Sequence, residues 1–81
     1  MELTKRGEAL TYCMATFNPA ELGSKGYGLW NKGAIAAFLS NEASVPTVPE
    51  FDDPAYMEGW EWGGACKDPI ALQRQIVGVL P

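Results

Sequence analysis

Asp53-Pro54-Ala55-Tyr56-Met57-Glu58-Gly59-Trp60-Glu61-Trp62-Gly63-Gly64-Ala65, residues 53–65, is the stretch on which the fold turns. Asp53 suits an N-cap, because its carboxylate accepts the unpaired N–H groups of a first helical turn. Pro54 suits the next position, where a missing N–H costs nothing. The spacing predicts a helix from Pro54 to about Ala65, ending near the glycine pair. Two further Asx-Pro pairs, Asn18-Pro19 and Asp68-Pro69, carry the same start signal. Three such signals in one short chain predict an all-α fold.

Working outward, four helices are expected. The first runs from about Thr4 to Thr16, with Leu3, Gly7, Leu10, Met14 and Phe17 recurring along one face. The second starts at Pro19, where Asn18-Pro19-Ala20-Glu21 resembles a capping box, and reaches about Leu39. Gly23, Gly26 and Gly28 weaken its first half, each by roughly 1 kcal/mol relative to alanine. A short helix, a turn near Gly23-Ser24 and then a second helix is the alternative. Ser40 to Asp52 reads as a loop, since Pro46 and Pro49 favour extended backbone. The last helix runs from Pro69 to about Val79, with Ile70, Ile76, Val77 and Leu80 as apolar contacts.

Tyr27-Gly28-Leu29-Trp30 followed by Gly33-Ala34 echoes Tyr56-Met57-Glu58-Gly59-Trp60 followed by Gly63-Gly64. Small residues four apart let helix backbones approach, with aromatic rings filling the flanks. Gly26, Tyr27, Trp30 and Gly33 are therefore expected to pack against Tyr56, Gly59, Trp60 and Gly63. The expected architecture is three to four short helices around a helical hairpin of residues 24–39 and 54–65. The chain has 81 residues, which makes one domain spanning 1–81.

Gly26-Tyr27, Gly33, the loop prolines, Tyr56, Gly59-Trp60 and Gly63 together resemble the ribosome modulation factor family and its phage-borne relatives. The resemblance covers about Lys25 to Ala65. It implies a helical hairpin, a bacterial or phage origin and association with ribosomes. Three features depart from the family. Ribosome-binding members are strongly basic, whereas this chain has a net charge of −4. The family's cysteine before the loop proline is also missing, and the loop is longer.

The charge is unevenly placed. Ala34 to Cys66 holds no Lys or Arg and six of the ten acids: Glu42, Glu50, Asp52, Asp53, Glu58 and Glu61. Such a face repels phosphate backbones, which argues against direct nucleic-acid binding, and suits a protein partner with a basic surface. Phe51, Asp52, Asp53, Glu58, Glu61 and Trp62 are the candidate partner-binding residues. Trp60 and Trp62 point about 200° apart on a helix, so only one can pack inward. Trp62 is expected outside as an interface anchor with an acidic rim.

Enzymatic chemistry is not expected. The chain has no histidine, the usual general base near neutral pH. Cys13 and Cys66 read as buried thiols, with a disulfide between them as the lesser reading. Two cysteines without histidine do not make a zinc site, and Glu50-Phe51-Asp52-Asp53 lacks the ligand spacing of a calcium loop. No cofactor or metal is expected. Met1 to Ala9 lacks the apolar stretch of a secretory signal, and Ala34 to Leu39 is too short to cross a membrane. A cytoplasmic place in a bacterial cell follows as the expectation.

The leading functional expectation is a non-catalytic binding protein, in its most concrete version a phage or bacterial inhibitor that occludes a basic, nucleic-acid-handling surface. A ribosome-associated modulator follows the family resemblance. A third reading is a small nucleotide-like ligand held between the helices by Tyr27, Trp30, Tyr56 and Trp60. Because so short a chain buries little surface, a second copy of itself is a further candidate partner.

Overall fold

The computed structural model describes residues 2–78, with side chains from Lys5 onward. Leu3 and Leu80, expected on apolar faces, and Val79, the expected end of the last helix, lie outside the described side chains. The fold is all-α: α1 (Glu2–Phe17), α2 (Lys25–Ala43), α3 (Pro54–Ala65) and α4 (Pro69–Gly78). None of the described helices is long and apolar enough to cross a membrane. The described residues divide into two compact units, residues 18–67 around α2 and α3, and residues 2–17 with 68–78 around α1 and α4.

In the α1/α4 unit, Ala9, Leu10, Cys13 and Met14 are buried on α1. They recur at the three- and four-residue steps of one helical face. The Cys13 thiol donates to the carbonyl oxygen of Pro69 at 3.6 Å, tying α1 to the first residue of α4. Asp68 caps α4 as its sequence predicts, its carboxylate accepting from Ala71 N–H at 3.1 Å. Cys13 and Cys66 are both buried thiols outside any disulfide.

In the α2/α3 unit, α3 begins where the Asp-Pro signal places it. Asp53 Oδ1 accepts from Ala55 N–H at 2.9 Å and Tyr56 N–H at 3.2 Å. The same signal fails at Asn18-Pro19. Asn18 Oδ1 accepts from Ala20 N–H, closing a tight turn (3.0 Å). Its amide donates to the Tyr27 carbonyl and to Asn31 Oδ1, both at 3.0 Å. These longer-range bonds hold residues 18–24 as a folded-back lead-in rather than a first helical turn. Gly23 makes the turn at φ +87°, where a side chain would be strained. Ser24 then caps α2, its hydroxyl accepting from Tyr27 N–H at 3.2 Å. The expected start at Pro19 is thus corrected to Lys25, and no helix precedes the turn.

The far end of α2 also differs, since it continues through Ser40 to Ala43. Ser44 sits in the left-handed region (φ 55°), and Val45 N–H reaches back to the Ser40 carbonyl at 3.1 Å. This is the Schellman way of ending a helix, here without the usual glycine. The Ser40 hydroxyl donates to the Val45 carbonyl and reinforces the stop.

Candidate functional site

Three glycines set how α2 and α3 meet. A methyl group on Gly59 would strike the backbone of Trp30, one on Gly63 the backbone of Ala34, and one on Gly33 the Tyr56 carbonyl and the Trp60 nitrogen. At these points backbone rests on backbone, as in small-xxx-small helix pairs. At such separations Cα–H groups lie close to facing carbonyls and add weak attraction.

The pairing also fixes direction. Gly26 faces Ala55, Trp30 faces Gly59 and Ala34 faces Gly63, with the same sequence offset each time. Near the ends of both helices, the Asn41 amide donates to the Gly64 carbonyl at 2.8 Å. The two helices therefore run side by side in the same direction. This corrects the expected hairpin: α2 and α3 pair, but the chain must return before α3 begins. Residues 44–53 make that return. Ten extended residues reach roughly 33 Å, enough to retrace the ~28 Å of a 19-residue helix.

The aromatic rings flank the seam. Trp30 and Tyr56 are each only 2% exposed. Trp62 lies against Trp30 with ring centroids 5.2 Å apart, and Trp60 stacks on Tyr56 at 6.2 Å. Trp60 and Trp62 are both half-buried, one on each side of the glycine row. Trp62 is therefore partly exposed, but so is Trp60, because a close backbone seam leaves room on both flanks. Tyr27 is half-buried, and Trp30 and Tyr56 are spent on packing rather than on lining a cavity between the helices. The Trp30 indole N–H is buried without an acceptor. Gly26 has ordinary room, 3.8 Å to the Ala20 and Ala55 methyls, so it borders the seam without being required by it.

The six candidate partner-binding residues have different surroundings. Asp53 is half-buried and bonded to the start of α3. Phe51, 40% exposed, meets Tyr56 edge-on at 5.2 Å. It also walls a groove of about 360 Å³ with Lys32, Ile35, Ala36, Leu39, Glu50 and Tyr56. Trp62 lies on Trp30. Asp52, Glu58 and Glu61 remain exposed. At 100° per residue, Glu58 and Glu61 share the side of α3 turned away from Gly59 and Gly63. Part of this negative charge has a structural use. Asp52 and Asp53 sit at the N-terminus of α3, which carries the positive end of its dipole.

The groove is the feature that reading the sequence missed. Its signal was present, for Ile35 and Leu39 lie on the side of α2 opposite Trp30, Ala34 and Ala37. Comparison of the chain with family models, with curated proteins and with solved structures returned no match.

Proposed function

We propose that this chain is a non-catalytic protein-binding domain that engages a basic surface of a partner, in its most specific form a phage or bacterial inhibitor that covers a nucleic-acid-handling site. One observation carries the reading. Asp52, Glu58 and Glu61 are exposed on α3 and its lead-in, within a stretch of chain that has no Lys or Arg. Uncompensated acids on a rigid helix present a fixed negative pattern, which steers and orients a cationic partner. The recognition differs from the first expectation in its parts. Asp53 serves the α3 cap and Trp62 packs on Trp30, so the acids Asp52, Glu58 and Glu61 carry the binding.

The test is a pull-down from bacterial lysate after nuclease treatment, comparing the natural chain with a triple variant, Asp52→Lys, Glu58→Lys and Glu61→Lys. All three side chains are exposed, so the variant should keep its helical circular dichroism. A nucleic-acid-binding complex held by the natural chain and lost by the variant is the expected result. Equal capture by both would overturn the acidic-face reading. Ribosomal proteins captured only before nuclease treatment would instead favour a ribosome-associated modulator of the kind the family resemblance implies.

A further inference from the structure

The outward side of α2 carries a second surface, and it does not rest on the acidic-face reading. Lys25, Gly28, Lys32, Ile35, Leu39 and Glu42 fall at alternating three- and four-residue steps, the spacing of a coiled-coil seam. All six are exposed, with Ile35 at 39% and Leu39 at 57%. The opposite side of the same helix is the one committed to α3 through Trp30, Gly33, Ala34 and Ala37. So α3 covers one side of α2, and the other side exposes Ile35 and Leu39 between charged residues.

The order of residues along this stripe is self-complementary. Its start is basic (Lys25, Lys32) and its end is acidic (Glu42), while Glu50 lines the groove together with Lys32. Turning a second copy end for end about the level of the Gly33–Ala34 peptide brings Lys25 opposite Glu42, Gly28 opposite Leu39 and Lys32 opposite Ile35. Every facing pair then occurs twice, as a two-fold interface requires. The shapes agree with the charges. Gly28 has open space where a side chain would be, and Lys25, Gly28, Leu29 and Lys32 line a hollow of about 230 Å³. Leu39 of the other copy is the projecting side chain that the rotation brings there. Lys32 of that copy is brought to the Glu50 wall of the groove. A parallel arrangement would instead set Lys25 on Lys25 and Glu42 on Glu42.

We propose that the outward stripe of α2 is a self-association surface and that the protein forms an antiparallel, two-fold dimer through it. The dimer leaves the acidic side of α3 uncovered on both copies.

Sedimentation equilibrium tests this over protein concentrations from about 10 μM to about 500 μM, a range suited to a small interface. The natural chain should shift from monomer toward dimer, and Leu39→Glu should weaken the association at least tenfold. A chain that stays monomeric throughout, or a dimer indifferent to Leu39→Glu, overturns the proposal. Register and direction are tested by Lys25→Glu and Glu42→Lys. Both substitutions favour the α2 dipole, and circular dichroism of each variant checks that its helices are kept. Each variant alone should associate more weakly than the natural chain, while an equimolar mixture should form a heterodimer. Failure of the mixture to associate better than either variant alone would exclude the antiparallel register.

Discussion

The two units are held together by opposite means. α2 and α3 meet where side chains are absent, at Gly33, Gly59 and Gly63, with rings filling in at the edges. α1 buries ordinary side chains, Ala9, Leu10, Cys13 and Met14, and its Gly7 has nothing within 4 Å of where a methyl would go. The same amino acid thus does unlike things in the two places. In the seam glycine sets the distance between helices, whereas in α1 it only loosens the helix. One unit should fail when atoms are added and the other when atoms are removed.

The largest expected effect is in the seam. Gly59→Ala drives a methyl into the Trp30 backbone, which cannot swing aside as a side chain could. Overpacking usually costs about 1–3 kcal/mol, and a backbone obstacle puts this case at about 3 kcal/mol or more. Urea denaturation monitored by tryptophan fluorescence should show the loss, since Trp30 lies at that contact. The neighbouring pair gives an internal control. Gly63→Ala should behave like Gly59→Ala, while Gly64→Ala meets only the Ala37 methyl at 3.9 Å and should be tolerated. Equal effects at the two positions would mean that backbone contact is not what sets the seam.

In the α1/α4 unit the damaging change runs the other way. Leu10 is 6% exposed, and Leu10→Ala should cost about 2–4 kcal/mol through lost burial and the cavity left behind. Chemical denaturation measures it, and a cost below about 1 kcal/mol would mean that α1 is not held by its buried face.

These contrasts also mark what was legible in the sequence. The starts of α3 and α4 could be read because Asp53 and Asp68 act locally, on N–H groups two or three residues away. Asn18 carries the same local signal, but its amide finds Tyr27 and Asn31 across a turn, and no spacing rule announces that. The pairing of α2 with α3 was written in the small residues. Its direction was not, because a row of glycines looks the same to a parallel and an antiparallel neighbour. Of the site, the exposure of Asp52, Glu58 and Glu61 followed from charge alone. Trp62 did not, since its place depends on how closely α2 and α3 approach, and the groove did not, since it depends on where residues 44–53 pass.

A smaller effect separates cap from partner surface. Asp53→Ala removes the acceptor for two N–H groups and should cost about 1 kcal/mol. Asp52→Ala, one residue earlier and exposed, should change stability by less than about 0.5 kcal/mol. If both were silent in thermal melts, the negative charge before α3 would have no structural use.

The smallest effect has the opposite sign. Gly7 lies inside α1, exposed, with open space around it. Alanine there fits the helix and removes the backbone freedom that glycine gives the unfolded chain, so Gly7→Ala should stabilise by roughly 0.5–1 kcal/mol. Thr11 donates its hydroxyl to the Gly7 carbonyl at 2.9 Å, a bond the substitution leaves in place. Set beside Gly59→Ala, this is one chemical change with two signs, read in the same denaturation experiment. A destabilising Gly7→Ala would show that α1 also needs close approach at that point, and the distinction between the two units would fall with it.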